Sequence, residues 1–278
     1  MYSNKHAILA VLFFIVSINS TIYLRHAFPY DLALFIFLVL VYLLLYQPKW
    51  LAFKFLPSKA FCFGFVSGIG FLTYPGYYPL IALVYLVLMS NCENTSKSFI
   101  YSTAGFLSGI VSLLVVFETV SYLASTSLIK ILYSLSESIN QGDYAEGFSF
   151  IFSYFLEVEK LWGFIVLSFF VYSIFLLSLS KMSKTFYNKT FLVMVAWLIF
   201  SVLIHSILSY FFKKIVWYGR LWHQFLPFFC LIAASGMKRI NNKLLELSMA
   251  LLLLLNLINF IYSIKKIAYP IDFVSCSQ

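Results

Sequence analysis

Charged residues are scarce in this chain, and their scarcity decides its class. They make up 10% of the 278 residues, while 62% of the residues are hydrophobic and the mean hydropathy is +0.93. A soluble domain has about 25% charged residues, so this chain lacks the polar side chains that cover a globular surface. The same composition excludes disordered, collagen-like and disulfide-scaffold proteins. We therefore expect an integral membrane protein.

Cysteine pairs and the motifs of soluble enzymes are also missing. The cysteines at 62, 92, 230 and 276 are scattered without a Cys-x-x-Cys pair, and no His or Cys spacing suits a metal. The sequence has no Walker loop, Gly-x-Ser-x-Gly, His-Glu-x-x-His or Rossmann glycine pattern. We expect no metal and no cofactor, and we interpret the cysteines as packing residues.

The net charge of +9 comes from short basic clusters between apolar runs. Such placement is typical of bilayer orientation and of contact with anionic lipids. No basic helix that could fill a groove and no aromatic-basic strand pattern is present, so we expect membrane lipids and no nucleic acid as partners.

The apolar runs predict the fold. A membrane span needs about 20 apolar residues. The candidate spans are 7–24, 30–47, 60–74, 77–90, 98–124, 161–180, 190–212, 221–236 and 244–264. They predict an all-α integral membrane protein with about eight or nine transmembrane helices in a single polytopic domain, residues 1–278. Tyr74-Pro75-Gly76 interrupts one long run, which predicts two short helices joined by a tight turn, with a single kinked helix as the alternative.

Basic residues in the short loops predict the orientation. Lys and Arg are modestly more frequent in the loops that would be cytoplasmic if the N-terminus is cytoplasmic. We therefore expect a multi-pass protein of the cell membrane with its N-terminus in the cytoplasm. The acidic connection 125–160 is expected outside. Lys213, Lys214 and Arg220 then also lie outside, against the usual tendency, which makes them the most informative charges in the chain.

These outward cations belong to one candidate binding segment. Lys213, Lys214, Tyr218, Arg220 and His223 lie just before and within a late span. Arg beside Lys suits phosphate or pyrophosphate oxygens, and aromatic rings at this depth could stack on a sugar. An ordinary aromatic belt with snorkelling cations is the alternative.

Two carboxylates are candidate catalytic groups. Asp31 follows Arg25 and His26 in a short outward turn, where it could activate an acceptor, or merely stabilise the start of a helix that Pro29 begins. Glu118 lies in the outer half of a span, where an ionisable side chain must face protein or a wet cavity.

Two further patterns point to helix packing. His205, inside another span, is expected to be a neutral hydrogen-bonding residue between helices. The Gly-x-x-x-Gly spacings at 64–68 and 105–109 allow close approach of helices, so we interpret both as packing motifs.

The order of these features carries a resemblance to a known family. An outward arginine precedes an acidic helix start over 25–31. The chain then reads Gly-Phe-Val-Ser-Gly-Ile-Gly-Phe-Leu-Thr-Tyr-Pro-Gly over 64–76 and Gly-Phe-Leu-Ser-Gly over 105–109. Later it reads Tyr-Gly-Arg-Leu-Trp-His-Gln-Phe-Leu-Pro over 218–227 and Ala-Ala-Ser-Gly-Met-Lys-Arg over 233–239. This resembles the membrane core of GT-C-type glycosyltransferases, the relatives of protein O-mannosyltransferases and aminoarabinose transferases.

The resemblance implies a polyprenyl-phosphate-sugar donor and transfer of the sugar at the outer membrane face. Arg220 would contact the lipid phosphate, and Arg25 with Asp31 would lie near the sugar. In the family the principal catalytic acid lies in a long first outer loop, whereas the first outer loop here is short. The chain therefore resembles a member lacking the N-terminal spans and that loop, so that a partner chain supplies the loop or Asp31 or Glu118 serves instead.

Three functions remain open from the sequence. The first is a GT-C-like glycosyltransferase, incomplete or degenerate. The second is a non-enzymatic binder or transporter of lipid-linked sugars, which needs the cations but no catalytic carboxylate. The third is a structural membrane subunit, in which these charges are interfacial anchors.

Overall fold

The structure is a computed structural model that describes residues 4–17, 29–46, 56–92, 96–139, 156, 159–179, 186–212, 222–236, 243, 250, 251, 254, 257, 258 and 261. All regular elements among these residues are helical. The helices are α1 Asn4–Val16, α2 Pro29–Tyr46, α3 Leu56–Thr73, α4 Tyr78–Ser90, α5 Ser96–Leu123, α6 Leu128–Ile139, α7 Lys160–Leu179, α8 Phe186–Phe212 and α9 Leu226–Gly236. The all-α class expected from the apolar runs is therefore confirmed for the described part of the chain.

The chain forms two compact units. The first contains Met1, Tyr23–Phe152 and Ser180–Phe228, and it holds α2 to α6 and α8. The second contains Tyr2–Ile22, Ser153–Leu179 and Phe229–Gln278, and it holds α1, α7 and most of α9.

Several helices have the length and composition of membrane spans. Pro29–Tyr46, Ser96–Leu123 and Phe191–Leu208 are long and apolar enough to cross a bilayer. The shorter segments Pro75–Ser90, Trp162–Phe175 and Leu226–Ser235 are also apolar. Membrane association is thus supported by the helices, while the count of eight or nine spans and the orientation of the N-terminus stay predictions.

The Pro-Gly break separates two helices. α3 ends at Thr73, Pro75–Tyr77 forms a single 3₁₀ turn, and α4 begins at Tyr78. Proline removes a backbone donor and cannot continue a regular helix, so the turn forms where the sequence places it. The expected pair of short helices is confirmed, and the kinked single helix is not observed.

The two Gly-x-x-x-Gly motifs pack against each other's helices. A Cβ atom on Gly64 would overlap the carbonyl oxygen of Phe106, and one on Gly109 would overlap that of Phe61. Residues without a side chain are needed for backbones to approach this closely. The interpretation of both motifs as packing motifs is confirmed.

The glycine contacts also fix the direction of these helices. Gly105 of α5 lies against Pro57 at the start of α3, and Gly68 near the end of α3 lies against Leu113 farther along α5. The contact nearer the start of α3 is also the one nearer the start of α5, so the two helices run parallel. Since α4 connects them, it carries the chain back in the opposite direction.

The second unit buries a carboxyl group among aromatic contacts. Ser17 Oγ donates a hydrogen bond to Glu159 Oε1 at 2.6 Å, and both residues are buried. Nearby in the chain, the rings of Phe13 and Trp162 lie 4.8 Å apart, which joins α1 to α7. Glu159, one of the acidic residues expected on the outer connection, is therefore part of a helix interface.

The connection 125–160 begins with a helix. α6 occupies Leu128–Ile139, after a turn in which Ser125 takes a positive φ of 58°. Thr126 secures the turn, because both its backbone amide and its hydroxyl donate to the carbonyl of Ser121. The acidic residues of this segment predict an outer loop, whereas its first part has the apolar spacing of an amphipathic helix.

Candidate functional site

Asp31 is the accessible member of a carboxylate–imidazole pair. It lies in the first turn of α2, where the helix dipole favours a carboxylate. Its Oδ1 atom lies 3.4 Å from Nε2 of His223. The Asp31 side chain is 25% exposed, whereas that of His223 is 1% exposed. Asp31 is therefore partly accessible and contacts a buried His223, an arrangement that a role in starting α2 alone does not require.

A short buried turn holds His223 in place. The backbone amide of Phe225 donates to the carbonyl of Trp222 at 2.9 Å, which closes the turn just before α9. Gln224 Nε2 donates to the carbonyl of Gly76 at 3.3 Å. Because Gly76 belongs to the 3₁₀ turn between α3 and α4, this bond ties the two turns together next to Asp31.

Three tyrosines at the start of α2 and in the turn before α4 contact one another, and we call them the tyrosine rim (Tyr30, Tyr74 and Tyr77). The rings of Tyr30 and Tyr74 meet edge to face with centroids 4.5 Å apart, and those of Tyr74 and Tyr77 do so at 4.8 Å. Tyr77 is fully buried, while Tyr30 and Tyr74 are half-buried. The rim thus offers two partly accessible aromatic rings, one of them on Tyr30, the residue that precedes Asp31 in the chain.

His205 joins α8 to the start of α4. The Tyr78 hydroxyl lies 3.4 Å from Nδ1 and 3.3 Å from Nε2 of His205, and the two rings stack with centroids 5.3 Å apart. On the same pair of helices, Trp197 Nε1 donates to the carbonyl of Pro79 at 2.7 Å. The expected hydrogen bond from His205 to another helix is present, and it connects α8 to α4.

Glu118 is engaged elsewhere in the first unit. Its Oε1 accepts a hydrogen bond from Ser127 Oγ at 2.8 Å, and its Oε2 accepts one from the Ile129 amide at 3.1 Å. Ser127 Oγ in turn accepts from the Lys130 amide at 3.3 Å. The carboxylate therefore satisfies amides at the start of α6, which is the role of a helix cap.

Three of the predicted site residues lie in the described part of the chain, and the structure brings two of them into contact. Asp31 and His223 come from distant parts of the chain and meet, while the hydrogen bonds of Glu118 go to the start of α6. The remaining predicted residues lie outside the described part of the chain; they are Arg25, His26, Lys213, Lys214, Tyr218 and Arg220.

Gln224 and the tyrosine rim are absent from the residues that the sequence nominates. Glutamine and tyrosine are ordinary in such a chain, which has 20 tyrosines, so composition does not single them out. One signal was available, since Tyr74 and Tyr77 flank the Pro-Gly break. In the described parts of the chain, no cluster of three His, Cys, Asp or Glu side chains could hold a metal ion.

Comparison with known proteins adds no relative. No protein-family model matches the chain, and no curated protein or solved structure matches it significantly.

Proposed function

We propose that this protein is a membrane glycosyltransferase of GT-C type that transfers a sugar from a polyprenyl-phosphate donor at the outer membrane face. The observation that carries the proposal is the 3.4 Å contact between Asp31 and His223, with the carboxylate partly exposed and the imidazole buried. A transferase needs one positioned base to activate its acceptor, and an oriented carboxylate can supply it.

Asp31 is the general base in this proposal. An acceptor hydroxyl attacks the anomeric carbon, its proton passes to the Asp31 carboxylate, and the bond from that carbon to the phosphate oxygen breaks. The electron pair of that bond leaves with the polyprenyl phosphate. His223 is a positioning residue in this proposal, because its buried imidazole contacts one carboxylate oxygen of Asp31 at 3.4 Å and so limits how that side chain can turn.

Donor binding is assigned to the rim and to neighbouring cations. The accessible faces of Tyr30 and Tyr74 suit the apolar face of a sugar ring. Arg220 precedes His223 by three residues, and Lys213 and Lys214 precede Arg220 in the same segment. Their charges would stabilise the departing phosphate, as arginine and lysine do at phosphoryl groups.

The test measures donor turnover and donor binding on the same purified full-length protein. A panel of polyprenyl-phosphate sugars is offered in lipid nanodiscs together with a panel of hydroxyl-bearing acceptors, and release of polyprenyl phosphate and formation of the glycosylated acceptor are followed. Asp31→Asn is expected to lower turnover by about 10²- to 10⁴-fold, the usual contribution of a general base, with binding retained. Asp272→Asn makes the same chemical change at an aspartate that the proposal does not use, and it should leave turnover unaltered.

His223→Asn and Arg220→Ala separate positioning from binding. His223→Asn should lower kcat with little change in KM, because the donor site stays intact. Arg220→Ala should weaken binding by about tenfold or more, roughly 1.4 kcal/mol.

Other outcomes identify the alternatives. Saturable binding that needs Arg220, without turnover by the wild type, would identify a non-enzymatic binder of lipid-linked sugars. A folded wild type that binds no donor would refute both proposals and leave a structural subunit. Full turnover by Asp31→Asn would refute Asp31 as the base.

A further inference from the structure

α6 is the most amphipathic of the described helices, and it directly follows a candidate membrane span. Leu128 and Leu132 face α5, where they line an apolar groove of about 480 Å³ between the two helices. Ile129 and Ile131 flank this face and are 67% and 47% exposed. Lys130, on the opposite side of α6, is exposed as well.

The exposed apolar surface of α6 continues that of α5. Val111 and Val115 of α5 are each more than half exposed, and they line the groove that Ile129 of α6 also lines. α5 is long and apolar enough to cross a bilayer, and it ends at Leu123, five residues before α6 begins. α6 therefore starts where an apolar span ends, which is the depth of the lipid headgroups.

The position of α6 against α5 is fixed by hydrogen bonds. Glu118, near the end of α5, accepts from the Ser127 hydroxyl and from the Ile129 amide. These bonds hold the first turn of α6 at the end of the span, so its apolar side stays next to the lipid-facing side of α5.

We propose that α6 is an interfacial helix whose apolar face binds the acyl-chain region of the bilayer, with an acyl chain in the groove against α5. Ile129 and Ile131 point toward the acyl chains, and Lys130 points toward the phosphate headgroups. Amphipathic helices with lysine on the polar face lie in membrane interfaces in this way. The helix binds lipid whether or not the protein is a transferase.

Site-directed spin labelling tests the proposal on the full chain. The protein is placed in nanodiscs of phosphatidylethanolamine and phosphatidylglycerol, in a variant whose four native cysteines are replaced by alanine. Single labels are attached to Ile129→Cys and Ile131→Cys, with Lys130→Cys and Ser134→Cys as matched controls. Collision with oxygen, which concentrates in lipid, is compared with collision with a water-soluble nickel chelate.

The expected pattern alternates along the helix. Labels at 129 and 131 should collide severalfold more with oxygen than with nickel, and labels at 130 and 134 should show the reverse. Greater nickel access at all four positions would place α6 in water and overturn the proposal. Low access of both reagents at 129 and 131 would mean that protein covers the apolar face, which also overturns it.

Photocrosslinking tests the same proposal if the cysteine-free variant does not fold. Benzoylphenylalanine placed at position 129, with the native cysteines kept, should form lipid adducts on illumination, and the same group at position 134 should form few. Adducts to protein segments instead of lipid at position 129 would refute lipid as the occupant.

Discussion

Gly109 of α5 packs directly on the backbone of Phe61 in α3, since a Cβ atom on Gly109 would overlap the carbonyl oxygen of Phe61. A backbone carbonyl within a helix cannot move aside as a flexible side chain can. The contact therefore sets the spacing between two parallel helices of the first unit.

Gly109→Ala should destabilise the protein by about 1–3 kcal/mol or more, because the added methyl group forces α5 away from α3. Unfolding in detergent, followed by helical circular dichroism, measures the loss. Ser108→Ala is the control, since Ser108 is exposed and its hydroxyl bonds only to the carbonyl of Gly105 in its own helix. A Gly109→Ala variant as stable as this control would contradict the close contact.

Gly70→Ala should cost less than Gly109→Ala. A Cβ atom at Gly70 would lie 2.8 Å and 2.9 Å from two outer ring atoms of Phe37, and a ring edge can shift where a carbonyl cannot. The same unfolding measurement compares the two variants. A larger loss for Gly70→Ala would show that Phe37 is held more rigidly than the contact implies.

Tyr78 and His205 should be energetically coupled. A double-mutant cycle with Tyr78→Phe and His205→Phe is expected to give a coupling of about 0.6 kcal/mol, the average for hydrogen bonds between membrane helices. Tyr101→Phe, which alters an exposed tyrosine on α5, supplies the reference. Additive effects of Tyr78→Phe and His205→Phe would mean that their contact contributes nothing.

Glu118→Ala should loosen the first turn of α6. The variant removes the acceptor of the Ile129 amide, so that amide is expected to exchange with deuterium severalfold faster in hydrogen-exchange mass spectrometry. Thr119→Ala is the control, because the Thr119 hydroxyl bonds only to the carbonyl of Val115 within α5. Unchanged exchange at residues 127–130 in Glu118→Ala would refute the capping role.

Ser17→Ala should destabilise the second unit by about 1–3 kcal/mol, because the buried Glu159 carboxyl loses a hydrogen-bond donor. The same substitution made in a Glu159→Gln background should cost less, since the acceptor is then uncharged. Equal losses in both backgrounds would show that the cost comes from packing around Ser17 and not from its bond to Glu159.

The local features of the fold were predictable from the sequence. Proline breaks a helix through its own ring, so the turn at Pro75 could be located without knowledge of any neighbour. Glycine at a four-residue spacing leaves a smooth strip on a helix wherever that helix lies, so the role of Gly64 and Gly109 was also predictable.

The helix α6 was not predicted, because the acidic composition of its segment indicated a loop. Acidic residues across 125–160 predicted an outer loop, although Leu128, Ile131 and Leu132 already have the spacing of one apolar helix face. The net charge of a long segment is an average, so it does not reveal a short stretch with apolar residues at helical spacing.

The sequence alone determined that the described part of this chain is helical and that its helices are apolar, because composition and local breaks act through each residue's own chemistry. It also nominated Asp31, Glu118 and His223 as separate candidates. Only the tertiary structure decided that Asp31 meets His223 and that Glu118 bonds to the start of α6. Those partners are set by the packing of helices distant in sequence, and no spacing along the chain encodes that packing directly.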